Sequence, residues 1–180
     1  MISYLLTAWY LQIPVIIGGV LHMMIVTHNI LPQLTTPIHL RLFGANKTWR
    51  GIIAVPLLTA FGAFCLWPIE LVLGENAVFP QGFALIVAGF IAGIGYVLAE
   101  LPNSFMKRRL GIAAGETPDK NRWLFTALDQ IDSGIGVAIA YGLFLDLPIL
   151  TVFLCALTFP LTALAVKRVL FWAKLKKSAT

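Results

Sequence analysis

The chain has 180 residues and a net charge of +5, with 59% hydrophobic and only 12% charged residues. Soluble domains average about 45–50% apolar and about 25% charged residues, so this composition excludes an ordinary soluble domain and predicts a protein of the lipid bilayer. The length is that of one domain, which we expect to cover residues 1–180. A positive net charge would also suit a nucleic-acid-binding protein, but the distribution of the charges predicts otherwise.

Five apolar runs follow one another along the chain. They occupy residues 5–26, 52–73, 83–99, 135–147 and 149–166. A bilayer helix needs about 20 predominantly apolar residues, and the fourth run reaches that length only if its helix begins near Ala127. We therefore predict an all-α integral membrane protein with about five transmembrane helices. No basic residue precedes Arg41 and the first run is longer than a signal-peptide core, so we expect no cleavable signal peptide.

The basic residues predict the orientation of these spans. All 13 Lys and Arg residues fall in three segments, at residues 41–50, 107–122 and 167–177. Cytoplasmic segments of membrane proteins are enriched in Lys and Arg. Five spans place all three segments on one side, so we expect the N-terminus outside and the C-terminus in the cytoplasm of a multi-pass protein of the cell (inner) membrane. Because the charges follow topology, we expect no nucleic-acid partner.

The cysteines and histidines show no pattern of a disulfide or a metal site. Cys65 and Cys155 each lie inside an apolar run, where a cysteine is most often a small packing residue. His22, His28 and His39 have no ligand-like spacing, and we expect them to be structural.

The polar segment after the third run contains most of the residues that suit chemistry. Glu100 ends that run, and Lys107 and Arg108 lie three and four residues after Ser104. On a helix these last three side chains share a face, and one hydroxyl with two cations suits a phosphate chain. The alternative is that Glu100 is a solvated boundary residue and that the cations only anchor the helix at the cytoplasmic surface.

Two carboxylates stand at the start of the fourth span. Asp129 and Asp132 are three residues apart, so on a helix they share a face and can hold Mg²⁺, a hard cation that prefers oxygen ligands. The alternative is helix capping, because Asp is favoured at helix N-termini. One Asp would satisfy a cap, so the pair favours the metal hypothesis.

The loop between the first two spans contains a second group of polar residues. Thr48 is placed to cap the second span, while Lys47 and Arg50 flank it and are long enough to reach lipid headgroups. The functional alternative is a small phosphate or base pocket, made of backbone amides near a helix N-terminus and two cations.

The two groups together resemble the CTP-dependent lipid cytidylyltransferases, a family that includes phosphatidate cytidylyltransferase and the shorter CDP-archaeol synthase. That family has an acidic residue, a Ser-x-x-Lys-Arg motif and a Leu-Asp-x-x-Asp-Ser motif, matched here by Glu100, Ser104, Lys107, Arg108, Leu128, Asp129, Asp132 and Ser133. It also has an upstream Lys-Thr-(aromatic)-x-Gly loop, matched by Lys47, Thr48, Trp49 and Gly51.

The departures from the family pattern place the chain nearer the CDP-archaeol synthase branch. The first acidic residue is Glu100 where the family usually has Asp, and Arg50 replaces the Glu of the long diacyl enzymes. Those enzymes are also longer and often have His-Gly-Gly before the Asp pair, where this chain has Ala127 and Leu128. Both an ether lipid and an ester lipid stay open as the substrate.

The resemblance implies a reaction of CTP with a membrane lipid phosphate, either unsaturated archaetidic acid or phosphatidate, that gives a CDP-lipid and pyrophosphate. It implies Mg²⁺ as the cofactor, held by Glu100, Asp129 and Asp132. It implies catalytic roles for Lys107, Asp129 and Asp132, and substrate binding by Lys47, Thr48, Arg50, Ser104, Lys107 and Arg108. A homodimer is a candidate assembly, and the active site is expected on the cytoplasmic side.

Two other functions compete with this one. A CTP-dependent polyprenol kinase has a similar motif set but would release CDP. A non-enzymatic transporter or scaffold subunit is the alternative from another class, and a transporter should have ionisable residues near mid-span. CDP-alcohol phosphotransferases fit poorly because the chain contains no Asp-Gly pair, and it contains no P-loop.

Overall fold

The computed structural model describes residues 2–116 and 122–172, apart from the side chains of residues 122–124 and 126. The apolar runs in these residues form helices, as expected where the bilayer offers no partner for backbone polar groups. The α-helices are α1 (Ile2–Tyr10), α2 (Ile13–Thr27), α3 (Leu40–Phe43), α4 (Trp49–Leu73), α5 (Phe83–Arg109), α6 (Arg122–Phe144) and α7 (Ile149–Trp172). Beside one isolated bridge between Pro37 and Thr48, the described residues form no strand.

The first apolar run forms two helices rather than one. The helix breaks at Gln12, two residues before Pro14, whose ring and missing N–H disfavour an unbroken helix. The side chain of Gln12 is buried, and its amide nitrogen donates to the Thr158 hydroxyl at 2.7 Å and to the Ala8 carbonyl at 3.1 Å. The break lets α1 pack against α7 while α2 packs against α4.

Four helical segments among the described residues are long and apolar enough to cross a membrane. They are Ile2–Thr27, Trp49–Asn76, Phe83–Arg109 and Ile149–Trp172. The helix α6 has 23 residues but contains Asp129 and Asp132, and it is not among these four. The predicted all-helical architecture is therefore confirmed for the described residues, with four segments apolar enough to span a membrane, while the fifth span stays a prediction.

The helix α6 lies antiparallel between α5 and α7. Gly136 faces Gly95 of α5, whereas Gly134 faces Phe159 and Gly142 faces Val152 of α7. A Cβ atom on either Gly95 or Gly136 would overlap the carbonyl oxygen of the facing glycine, so these two backbones touch directly. Small residues allow this close approach of helices inside a membrane.

The third predicted span ends later than expected. The sequence predicted an end near Ala99, with Glu100 at the helix C-terminus, but α5 continues through Pro102 to Arg109. The change from apolar to polar residues at Glu100 marks the point where the helix leaves its apolar environment, and the helix itself continues.

The main packed core and the polar segment that begins at Glu100 occupy opposite ends of the bundle. The core lies where α4 and α6 end and α5 begins, and its members include Leu11, Ala63, Leu85, Val137 and Tyr141. At the other end, α5 and α6 turn their polar residues toward the loop between α2 and α4. The basic residues Lys120, Lys174, Lys176 and Lys177 lie outside the described residues.

Candidate active site

The last third of α5 presents one polar face. Glu100, Asn103, Ser104, Lys107 and Arg108 lie at spacings of three and four residues, which a helix places side by side. Lys107 is only 7% exposed despite its charge. A lysine is seldom buried without a partner, so this face must meet opposite charge from another element.

The opposite charge comes from α6. Lys107 Nζ lies 2.5 Å from Asp129 Oδ1 and 2.6 Å from Asp129 Oδ2. Asn103 Nδ2 donates at 2.7 Å both to Asp129 Oδ1 and to Asp132 Oδ2. The amide of one side chain thus joins the two carboxylates.

The capping alternative for the two aspartates is wrong. The helix α6 begins at Arg122, so Asp129 and Asp132 lie two turns and more beyond its N-terminus. Asn, Asp and Ser at a cap act on the first turn of a helix, and these carboxylates are too far along to do so. Their oxygens are instead directed at α5.

The loop between α2 and α4 meets the same site through Glu100. Lys47 Nζ donates to Glu100 Oε2 in an ion pair. The Ser133 hydroxyl of α6 lies 3.3 Å from Glu100 Oε1 and 3.0 Å from Asp132 Oδ1. Glu100 therefore links the first polar loop to α6, across more than 50 residues of sequence.

Local structure holds the first loop in place. Thr48 caps α4 by accepting a hydrogen bond from the Gly51 amide at 3.4 Å, as predicted. Arg50 is buried and donates from Nη1 to the Ile30 carbonyl at 3.3 Å. Gly44 has φ +85°, and a Cβ atom there would lie 3.4 Å from Arg108 Nη1. A glycine at this position therefore lets the loop approach the end of α5.

Two polar cavities collect the predicted binding residues. The first, of about 550 Å³, is lined by Lys47, Thr48 and Arg50. The second, of about 400 Å³, is lined by Ser104, Lys107, Arg108, Asp129 and Asp132. Both cavities are lined by Asn46, Lys47, Tyr96 and Glu100, so they adjoin.

Each cavity is lined by an arginine, Arg50 in the first and Arg108 in the second. Arg50 Nε and Arg108 Nε are buried and have no hydrogen-bond partner among the described residues. A buried donor without a partner costs about 1–3 kcal/mol, and an anion that accepts from it removes that cost. Guanidinium groups suit phosphate oxygens because of their planar set of donors. Each cavity is thus lined by a cation of a kind that binds phosphate.

The donor set fits a hard divalent cation. Asp129 Oδ1 and Asp132 Oδ2 both approach a single atom, Asn103 Nδ2, and carboxylate oxygens are the ligands that Mg²⁺ prefers. Glu100 is linked to Asp132 through the hydroxyl group of Ser133, which lies near an oxygen of each carboxylate. Within residues 2–116 and 122–172, no three His, Cys, Asp or Glu side chains form a ready-made metal cluster. The three-carboxylate set of Glu100, Asp129 and Asp132 stays a prediction.

Sequence reasoning missed Asn103 and Tyr96, and it named Ser133 only as part of a motif, without a role. Asn103 joins the two aspartates, Ser133 lies between Glu100 and Asp132, and Tyr96 lines both polar cavities. Asn103 lies three residues after Glu100 and four before Lys107, so a helical face drawn through those two would have included it. No sequence signal marks Tyr96, which stands within an apolar run.

The chain is similar to known proteins over most of its length. A family model described as "CarS-like: CDP-archaeol synthase" matches residues 1–178. The CDP-archaeol synthase of Thermofilum pendens is 33% identical over 108 residues, which are 60% of this chain and 44% of that protein. The CDP-archaeol synthase of Pyrobaculum aerophilum is 29% identical over 138 residues, 76% of this chain and 73% of that protein. The match thus spans less than half of the first relative, and no solved structure matches the chain.

Proposed function

The chain belongs to the CarS-like CDP-archaeol synthase family, and we propose from this premise that it is a CTP-dependent cytidylyltransferase of lipid biosynthesis. It converts a membrane lipid phosphate, unsaturated archaetidic acid or phosphatidate, to a CDP-lipid and releases pyrophosphate. The observation that supports this best is the meeting of the first loop, α5 and α6. Their cations and carboxylates adjoin two cavities large enough for a nucleotide and a phosphate headgroup.

The reaction needs no protein nucleophile. An oxygen of the lipid phosphate forms a bond to the α-phosphorus of CTP, and the bond from that phosphorus to the bridging oxygen breaks. The electron pair leaves with pyrophosphate, so the atoms and charges balance. Catalysis of such a transfer consists of positioning and of stabilising the negative charge that moves to the leaving group.

The side chains of the second cavity carry out the positioning. Lys107 and Arg108 hold phosphate oxygens, and Ser104 donates a hydrogen bond from the same face of α5. Lys107 is itself fixed by Asp129, so its ammonium group is held in place before substrate binds. Lys47, Thr48 and Arg50 bind substrate in the first cavity. We assign catalytic roles to Lys107, Asp129 and Asp132.

Asp129 and Asp132, with Glu100 nearby, are the residues that would hold Mg²⁺. A bound magnesium ion would neutralise phosphate oxygens and stabilise the leaving pyrophosphate. Asn103 is the side chain that must turn away from the two aspartates to admit the ion, because its amide nitrogen now lies 2.7 Å from an oxygen of each.

We also propose five spans, with the N-terminus outside, the C-terminus in the cytoplasm and the site on the cytoplasmic side of the cell membrane. The helix α6 lies antiparallel between α5 and α7 and packs against both. If α5 and α7 cross the membrane, α6 therefore crosses it with them. Its 23 residues rise about 35 Å, enough for a hydrocarbon core of about 30 Å. The single domain over residues 1–180 and the homodimer stay predictions.

The function is tested with purified protein in detergent, Mg²⁺ and labelled CTP. Phosphatidate, unsaturated archaetidic acid and polyprenol are offered in parallel. The expected products are pyrophosphate and a CDP-lipid, and the better lipid identifies the substrate. Release of CDP with a phosphorylated alcohol would indicate a polyprenol kinase instead. No turnover of CTP with any lipid, by protein that is folded, would favour a transporter or scaffold.

The role of Asp129 is tested in the same assay. We expect Asp129→Asn to lower kcat by at least about 100-fold, the usual cost of removing one stabilising group from a charged transition state. Asp146→Asn is the control, because it is the same change at an exposed turn with φ +50°, which Asn tolerates. Near-normal turnover by a folded Asp129→Asn protein would exclude the proposed role.

A further inference from the structure

A third cavity adjoins the site from the side of the apolar helices. It lies between α2 and α7 and has a volume of about 170 Å³. Its apolar walls are Val15, Ile16 and Gly19 on α2 and Phe159, Ala163 and Val166 on α7. These two helices make few direct contacts, so the space between them is not closed by packing. On α7 the cavity extends from Phe159 to Leu170, a rise of about 16 Å.

The apolar cavity is continuous with the polar one. Tyr96, Asp129, Gln130 and Lys167 line both the 170 Å³ apolar cavity and the 400 Å³ polar cavity. One connected space therefore passes from hydrocarbon-like walls to carboxylates and cations. Lys167 lies at the boundary, one helical turn beyond Ala163. A molecule that fits such a space has an apolar chain at one end and an anion at the other.

We propose that the α2–α7 cavity holds the glycerol-proximal part of the hydrocarbon chain of a lipid phosphate, and that Lys167 binds the phosphate of that lipid. This inference rests on the proposed function, and it assigns the lipid to a place distinct from the cavity of Lys47, Thr48 and Arg50. An apolar cavity of about 150 Å³ accommodates one benzene molecule. The present cavity thus takes about six carbon atoms, and the rest of the chain lies in the bilayer beside α2 and α7.

The position of Lys167 explains why this cation, and not its neighbour, meets the lipid. Lys167 lines both cavities, whereas Arg168 is exposed and lines none of the three cavities described above. A lysine at the end of an apolar wall can bind the anionic end of an amphiphile whose apolar chain lies along that wall.

Gly19 offers a steric test of the chain position. A Cβ atom at Gly19 would meet no atom within 4 Å, so a larger side chain there grows into the open space of the cavity. Leucine also has a higher helix propensity than glycine, so Gly19→Leu should fold. We expect its KM for a long-chain lipid phosphate to rise by about tenfold or more, with an unchanged KM for CTP.

Lys167 is tested by substitution beside a matched control. We expect Lys167→Ala to raise the KM for the lipid phosphate by about tenfold or more, since charge-assisted hydrogen bonds to phosphate are among the strong ones. Binding of labelled CTP should stay as in the wild type. Arg168→Ala removes a cation from the next position of the same helix and should leave both KM values unchanged.

The outcomes separate this inference from the proposed function. An unchanged KM for the lipid phosphate in Lys167→Ala would overturn the assignment of the phosphate to Lys167. An unchanged KM for the lipid phosphate in Gly19→Leu would overturn the assignment of the hydrocarbon chain to the α2–α7 cavity. In either case, turnover of a lipid phosphate by the wild-type protein would still support the proposed function. If Gly19→Leu does not bind CTP, Gly19→Val replaces it. A wild-type protein that turns over no lipid phosphate would overturn both the inference and the function.

Discussion

At the scale of single residues, Asn103 has the most specific contacts of the site. Its amide nitrogen donates to Asp129 and to Asp132 at 2.7 Å each, so it separates two negative charges that would otherwise face one another. Two carboxylates that share a site repel, and an opposite charge or a donor between them removes that cost. Asn103 therefore reduces the repulsion between the two carboxylates by donating to both of them.

This gives a prediction for Asn103→Asp. A third carboxylate in place of the amide should lower the free energy of unfolding by about 1–3 kcal/mol in EDTA, the cost of leaving buried polar groups without a partner. Mg²⁺ binds the folded state and should restore the stability, so the rise in melting temperature with Mg²⁺ should exceed that of the wild type. Thermal unfolding in detergent measures both values.

The control for that experiment is Asn76→Asp, an exposed position at the end of the short helical turn Gly74–Asn76, far from the aspartates. Its melting temperature should respond to Mg²⁺ as the wild type does. An Asn103→Asp protein with the wild-type response to Mg²⁺ would contradict a cation site at Asp129 and Asp132.

Thr48 has a structural role that can be separated from its proposed role in binding. Asp is as good an N-cap as Thr, so Thr48→Asp should keep the stability of α4. The new carboxylate would stand in the cavity of Lys47 and Arg50 and repel phosphate, so activity should fall by at least about tenfold. Melting temperature and kcat/KM for CTP measure the two effects, and Thr48→Ser should retain both. Full activity in Thr48→Asp would remove Thr48 from the substrate site.

At the scale of elements, the contact between α5 and α6 sets the geometry of the site. Gly95 lies five residues before Glu100 and Gly136 lies three residues after Ser133, so the distance between the helices at this contact influences how far Lys107 is from Asp129. The same pair of helices thus contributes both the packing and the charges. A substitution that changes how α5 packs against α6 should therefore also change the catalytic activity.

We predict that Gly95→Ala lowers both stability and activity. The added Cβ would overlap the Gly136 carbonyl oxygen, and overpacking of this kind costs about 1–3 kcal/mol. Gly19→Ala is the matched control for stability, because its Cβ meets no atom within 4 Å and alanine favours a helix over glycine. Thermal unfolding and CTP turnover measure the effect. Equal melting temperatures in the two variants would exclude a tight contact at Gly95.

At the scale of the whole molecule, the orientation in the membrane decides which compartment the site faces. The proposed five-span topology would put the loop after α5 inside and the turn before α7 outside, so that α6 crosses the membrane between them. If α6 does not cross, those two segments lie on the same side. The count of spans can therefore be tested without any assay of activity.

We predict the labelling of single cysteines introduced in a background with Cys65 and Cys155 replaced by Ala. Glu75, Pro148, Arg41 and Leu110 are all exposed in the structure. A membrane-impermeant thiol reagent on intact cells should label Glu75→Cys and Pro148→Cys, and label Arg41→Cys and Leu110→Cys only after permeabilisation. Labelling of positions 110 and 148 from the same side would contradict a crossing α6.

Much of the site follows from local spacing in the sequence. The motifs around Lys47, Lys107 and Asp129 led to the family that the comparison with the family model confirms. Spacings of three and four residues identified the shared face of Ser104, Lys107 and Arg108, and α5 continues through them as a helix. The end of α5 did not follow from the spacing of residues. A change from apolar to polar residues marks the membrane surface, and α5 passes through that surface without ending.

The sequence by itself determined the apolar helices, the class of solvent and the residue types that suit phosphate and magnesium, because those properties depend on composition and on short periodic spacing. Only the tertiary structure decided which partners meet: Lys47 with Glu100, Lys107 with Asp129, and Asn103 between the two aspartates. It also showed the cavity between α2 and α7. Such contacts join segments far apart in the chain, and they depend on how closely helices pack, which no local pattern specifies.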